Sequence, residues 1–404
     1  MTDRDPGRRR PASRLDLPSE ESPSALRRLK VVFAASGGGI GTLMPYLGLY
    51  LAWRGLTPTE IGLVLGLMAA VGVLAVPLWG TWADRGHGAA QALRLSCLGA
   101  AIGSLVLLAT GAWLPGVVVA AALLAAMRAP GEALADALAV GLLGPSAGRR
   151  YGSIRLWSSA GFAVAVAGWG LLLAHTSLAL VLLAYPAALL LEGAAVRGLA
   201  VPAPARTAER MPWRDVLAPQ FVLLLTGAWV FGVAMGASWT FLPLRLTALG
   251  GEVSAVAAAS VVGALTEIPI MRSAGWWYQR FGAGAMFVGG GSVFALSLAG
   301  YGLLTEPWLL VAVSVLRGAG YAVVYVSLVT AVGSLLPAHQ QGTGQALLQT
   351  TLMGLAPMVG ASLGGFTYER TPGLMFLAAA VLALVAALVA RAAIQFRPRA
   401  GGDR

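Results

Sequence analysis

The sequence predicts an all-α membrane protein: twelve transmembrane helices arranged as two pseudo-symmetric six-helix bundles. Three observations lead there. The 404 residues are 57% hydrophobic and only 11% charged, with a mean hydropathy of +0.76, whereas soluble domains carry about 25% charged residues. The apolar runs recur at a spacing that fits a span of about 20 residues plus a connection. The two halves also repeat the same motifs at a nearly constant offset. The composition excludes an aqueous globular enzyme and a disordered tail protein.

In chain order, residues 1–29 hold Pro, Ser and both charge signs, which predicts a disordered cytoplasmic tail rather than a signal peptide. Apolar runs at 30–53, 59–82, 89–111, 114–143, 151–174 and 176–198 form a first bundle, 30–198. The polar, Pro-rich stretch 199–216 reads as a cytoplasmic linker. Runs at 217–245, 253–274, 283–304, 307–336, 341–365 and 372–394 form a second bundle, 217–395, followed by a cytoplasmic tail, 396–404. Gly37-Gly38-Gly39 and Gly289-Gly290-Gly291 lie inside apolar runs with no strand before them, so they read as helix-packing surfaces rather than nucleotide loops.

Placement of charge sets the orientation. The net charge of +11 would suggest nucleic acid in a soluble chain. Here, with both ends inside, 21 basic residues fall in the tails, the linker and the connections on the cytoplasmic side, and three (Arg54, Arg245, Arg370) on the other. That is a positive-inside pattern and needs no nucleic-acid partner. Cys97 is the only cysteine, so no disulfide forms within the chain. His87, His175 and His339 lie far apart, so no metal site is expected.

The repeat is visible in two places. Gly80-Thr-Trp82-Ala-Asp84-Arg85-Gly86 and Gly275-Trp-Trp277-Tyr-Gln279-Arg280 superpose at an offset of 195, and Arg128 with Gly131 superposes on Arg317 with Gly320 at 189. The Gly-x-x-x-Asp-Arg segment, its altered copy and the six-plus-six layout resemble the major facilitator superfamily over residues 30–395. The run Arg150-Tyr151-Gly152-Ser-Ile-Arg155-Leu-Trp157-Ser-Ser-Ala-Gly161-Phe162 is similar to the opening of the fifth helix in the branch holding lactose permease, phenylpropionate permeases and nucleoside–proton symporters. The superfamily resemblance implies that Gly80, Asp84 and Arg85 gate the cytoplasmic side. Gln279 stands where the second copy would carry an acid, which puts a symmetric gate in doubt.

Ionisable groups inside a span are costly and so are functional candidates. Those counted are Arg128, Glu132, Asp136, Arg155, Glu267, Arg272 and Arg317. Arg128, Glu132 and Asp136 follow at i, i+4 and i+8, on one helical face, with Pro130 interrupting the backbone ladder. They read either as a structural Arg128–Glu132 pair or as groups that handle substrate and protons. In the second half Arg317, Tyr321 and Tyr325 take those positions, and Gln345 is the counterpart of Arg155, with Gln349 one turn on. The branch resemblance proposes that Arg155 pairs with Glu132, buried between the fourth and fifth helices, and adds weight to a substrate or proton role for Glu267. Glu267 alternatively pairs, purely structurally, with Arg272 or a neighbouring arginine.

These residues fit a secondary transporter of the cell membrane that moves a small organic solute by alternating access, with proton symport as the leading reading and proton-antiport export as the alternative. No P-loop is present and Lys30 is the only lysine, so the chain does not by itself use ATP. No His or Cys cluster suggests an enzyme. The proton is the expected coupling ion, with no cofactor; the expected partners are a solute and the bilayer, around a monomer. Placing Ala205→Cys in a Cys97→Ala background gives one reporter thiol in the linker. An impermeant reagent applied outside intact cells should leave it unlabelled; labelling from outside would reverse the orientation.

Overall fold

The computed structural model describes residues 23–144, 147–199, 218–337 and 340–395. Most of the expected tails and linker (1–22, 200–217 and 396–404) and His339 lie outside these residues. The described chain is helical: α1 (Pro23–Trp53), α2 (Pro58–Trp82), α3 (Gly88–Ala109), α4 (Leu114–Arg128), α5 (Gly131–Leu143), α6 (Ala147–Leu173) and α7 (Ala179–Ala195) form the first half. The second half holds α8 (Pro219–Ala248), α9 (Val253–Leu303), α10 (Pro307–Leu335), α11 (Gln341–Gln349), α12 (Ala356–Arg370) and α13 (Pro372–Gln395).

Nine helical runs among the described residues are long and apolar enough to cross a membrane. Two of them, Pro58–Ala109 and Val253–Leu303, hold 52 and 51 residues. At about 1.5 Å per residue each would measure roughly 77 Å, more than twice a hydrocarbon core of about 30 Å. Each bends at a glycine in the left-handed region, Gly86 (φ 104°) and Gly282 (φ 74°). These are the two copies of the repeated loop motif, and only glycine holds that backbone without strain. The shorter apolar helix α7 adds to these nine runs, and the glycine bends divide the two long ones where the sequence expects separate spans. The fourth expected span is interrupted at Ala129-Pro130, between α4 and α5, where Pro130 supplies no backbone donor.

Within the first half α1 packs on α6 and α7, and α3 packs on α4 and α7; in the second, α9 packs on α10 and α13, and α8 on α12 and α13. Association inside a bilayer gains little from the hydrophobic effect and relies on close packing of small residues. The buried stripe Ala379, Ala383, Ala386, Ala387 and Ala390 of α13 supplies such a surface to α8 and α9.

Contacts fix which ends share a face. Arg28 near the start of α1 donates to the Arg197 carbonyl just past α7, so these ends lie together. The far ends of α1 and α8 meet at Gly48 and Leu244, and the start of α8 meets the end of α13 at Gly227 and Ala390. The face where α1 begins is termed the near face, the opposite one the far face.

The two halves touch through α2 with α12, α6 with α9, and α1 with α8. The tightest approaches cluster toward the far face. Gly62 of α2 lies against the Ala361 carbonyl and Gly365, and Gly170 of α6 lies against Ala257. A capping box starts α2 there: Thr57 Oγ1 accepts from Glu60 N (3.3 Å) and Glu60 Oε2 accepts from Thr57 N (2.8 Å). Beside it Thr59 N donates to Glu369 Oε2 across the halves (3.0 Å). A side chain at residue 62 has no room in this seam. Introducing Gly62→Val into a Thr59→Cys/Glu369→Cys protein lacking Cys97 should cut far-face cross-linking by a short bifunctional maleimide. Unchanged cross-linking would show that the seam does not depend on that glycine.

Candidate functional site

In the first half the site is built where α1, α5 and α6 converge. Arg155 Nη2 of α6 lies 3.3 Å from Glu132 Oε1 of α5, the pair expected from the branch resemblance. The expectation that this pair is buried is corrected: the two side chains are 39% and 51% exposed. Glu132 stands at the start of α5, about 16 Å of helix from its near-face end. Asp136, one turn on, accepts from Tyr151 Oη of α6 (2.7 Å). Tyr151 meets Phe33 of α1 edge-on, with ring centroids 6.4 Å apart, and the Arg155 guanidinium lies over Phe33 at 6.0 Å. Lys30 Nζ lies 5.8 Å from the Trp157 ring.

Arg128 takes a different partner from the one its i, i+4 spacing suggests. Its Nη2 donates to Ser36 Oγ of α1 (3.0 Å), inside the half rather than along its own helix. The break at Pro130 separates the stripe, so Arg128, Glu132 and Asp136 each reach across to α1 or α6. Behind Arg128 lies Glu192 of α7, which is fully buried and has no hydrogen-bond partner within normal geometry at either carboxylate oxygen. Its carboxylate interacts electrostatically with Arg128, and Tyr185 and Cys97 adjoin the same group. Sequence reasoning missed Glu192, although the cost argument that selects Glu267 applies equally to a carboxylate in Leu189-Leu-Leu-Glu192-Gly. It missed Ser36 and Tyr151 as partners too, because nothing in their own spacing points at a charged group on another helix.

In the second half Arg317 of α10 is buried and donates Nη2 to the Ala259 carbonyl of α9 (3.4 Å). Glu267 of α9 interacts electrostatically with Arg317, a neighbouring arginine, while Arg272 lies exposed on the same helix. Tyr321 and Tyr325 stack at 5.8 Å, and Trp239 of α8 lies 5.7 Å from Tyr321. Gln349 Nε2 donates to Tyr325 Oη (2.6 Å), while Gln345 Nε2 donates to the Val329 carbonyl (2.8 Å). The expected residues therefore gather into two clusters, one per half, each combining an arginine, a carboxylate and aromatic faces. The second cluster replaces two carboxylates by the tyrosine pair, as the repeat alignment indicates.

The loop motif stands apart from both clusters. Asp84 and Arg85 are exposed in the wide turn Ala83–His87, and Gly80 has open space around it. His87 stacks on Trp82 at 4.1 Å and its Nδ1 lies 3.1 Å from the Trp82 carbonyl. In the second copy Trp277 and Phe281 lie 5.8 Å apart, with Arg280 over Phe281 at 5.9 Å.

The comparisons agree with this architecture. A maltose permease of Geobacillus stearothermophilus is 29% identical over 354 residues, covering 86% of this chain and 89% of that protein. An uncharacterized transporter, YwbF, of Bacillus subtilis (strain 168) is 24% identical, covering 82% and 84%. Among solved structures, the nucleoside transporter NupG matches with a TM-score of 0.78 at 15% identity, covering 92% of this chain and 100% of that one. A bacterial homologue of the iron transporter ferroportin, in an inward-facing state, matches with a TM-score of 0.72 at 16% identity, covering 92% and 100%. The model of the MFS_1 like family matches residues 26–378. The chain accordingly belongs to the MFS_1 like family and is a multi-pass membrane transporter of the major facilitator type.

Proposed function

We propose that the protein imports a neutral, hydroxyl-rich solute of disaccharide size by proton symport across the cell membrane, with its near face toward the cytoplasm. The carrying observation is the Glu132–Arg155 ion pair, which stays 51% and 39% exposed although both residues sit well inside spanning helices. Charges at that depth are tolerated where they line a water-filled cavity. The seams between the halves lie toward the far face, which supports a cavity open to the near face.

The chemistry of the two clusters suits such a solute. The exposed Trp239 and half-buried Tyr325 can pack against the C–H faces of a sugar ring, while Arg155, Glu132 and Gln349 offer donors and acceptors to its hydroxyls. The 29% identity to a maltose permease favours the same class. Glu132, Asp136 and Glu267 are the proposed proton carriers, each beside an arginine or tyrosine that can hold the vacated position. Glu192 acts through Arg128: a buried counter-charge keeps that guanidinium on Ser36 and off Glu132. In the proposed cycle the exposed turn at Gly80, Asp84 and Arg85 packs against the second half when the near face closes.

Reconstituted vesicles with an inward acid gradient should accumulate labelled maltose or a related disaccharide, and a protonophore should abolish accumulation. Equal accumulation with and without the gradient would remove proton coupling, and gradient-driven loss of solute would favour the antiport reading. Among Glu132→Gln, Asp136→Asn and Glu267→Gln, at least one should lose uphill accumulation by about tenfold or more while solute exchange persists, as general acid–base groups of this kind contribute about 100-fold or more. Full accumulation in all three would make the carboxylates structural.

A further inference from the structure

Away from both clusters, a groove of about 750 Å³ opens on the near face between the start of α3 and the end of α7. Arg94, Arg197 and His87 line it together with Leu95, Leu98 and Leu190, and no carboxylate is among its lining residues. Arg28 adds a third guanidinium at the rim, donating to the Arg197 carbonyl. Arg94 and Arg197 are exposed and form no ion pair among the described residues. Three cations around one opening repel each other and call for an anion.

The groove does not end in water. From it an apolar stripe runs along α3 through Leu95, Leu98, Ile102 and Leu105, all exposed and spaced so that they share one helical face. Leu183, Leu190 and Leu191 of α7 are exposed too. The stripe from Leu95 to Leu105 rises about 15 Å, half of a hydrocarbon core of about 30 Å and hence the depth of one leaflet. Basic pockets between spanning helices with apolar flanks match the two ends of a lipid.

We propose that this groove binds an anionic phospholipid of the near-face leaflet, with its headgroup phosphate held by Arg94 and Arg197 and its acyl chains laid along the α3 stripe. Guanidinium groups present paired donors that fit phosphate oxygens. The linker that follows Leu199 carries Arg206, Arg210 and Arg214 against Glu209 and Asp215, a net positive charge that does not complement the groove. A soluble phosphate would satisfy the arginines but leave the leucine stripe without a role.

Native mass spectrometry of the purified full chain, equilibrated with equal phosphatidylglycerol and phosphatidylcholine of the same acyl length, tests the assignment. The wild type should retain phosphatidylglycerol by about tenfold or more over phosphatidylcholine, since each basic side chain contributes about a fivefold preference near the surface. Arg197→Gln, exposed at a helix end where folding does not depend on it, should reduce the preference severalfold. Arg94→Gln/Arg197→Gln should abolish it, and Arg280→Gln, exposed elsewhere on the near face, should leave it intact. Inorganic phosphate and glycerol phosphate should neither compete for the site nor raise the melting temperature as phosphatidylglycerol does. Equal retention of both lipids, a preference unchanged in Arg197→Gln, or an equal loss in Arg280→Gln would overturn the proposal. Full competition by inorganic phosphate would make the groove an anion site rather than a lipid site.

Discussion

A charge inside a bilayer must have a partner or reach water, and the arrangement of this protein follows from that constraint. The first half meets it in two ways within one region. Arg128 is held on Ser36 with Glu192 behind it, a dry arrangement in which the opposite charges offset part of each other's desolvation. Glu132 and Arg155, on neighbouring helices, stay partly solvated. The second half keeps a buried arginine, Arg317, interacting electrostatically with a partly buried Glu267, and replaces the wet carboxylates by stacked tyrosines. One duplicated scaffold thus carries a charged face and an aromatic face, the chemical asymmetry on which the proposed hydroxyl-rich solute rests.

The same economy governs how the halves meet. Among the described residues, Glu369 accepts from Thr59 at the solvent-exposed end of the seam, and farther in the approach is made by Gly62, Gly365 and Gly170 against backbone and alanine. Small residues let the helices come close without interlocking side chains. A seam of that kind can part and re-form at low cost, as alternating access between two rigid halves demands.

Much of this was legible in the sequence for identifiable reasons. Apolar run length reports directly on bilayer thickness, and the near-constant offset between the Gly80 and Gly275 motifs, and between Arg128 and Arg317, exposed the duplication. The Glu132–Arg155 meeting came from the resemblance of the Arg150–Phe162 run to a known branch, since two helices give no sign of their relative depth. Spacing along one helix misled at Arg128, where Pro130 divides the stripe and the partner is a serine on α1. Glu192 obeyed the rule that selects buried charge and was still overlooked. Solvation was the least legible property: the exposure of the Glu132–Arg155 pair depends on how far apart the halves stand, which no local pattern encodes.

That exposure is the central claim, and the stability of neutral variants measures it most directly. In the purified protein, unfolding of Glu132→Gln, Arg155→Gln and the double variant forms a cycle whose coupling energy reports how dry the pair is. A pair facing a water-filled cavity should show a coupling of about 1 kcal/mol or less, with both single variants folding normally. A loss of about 3–5 kcal/mol in either single variant, recovered in the double, would place the pair in a sealed interior and contradict the cavity.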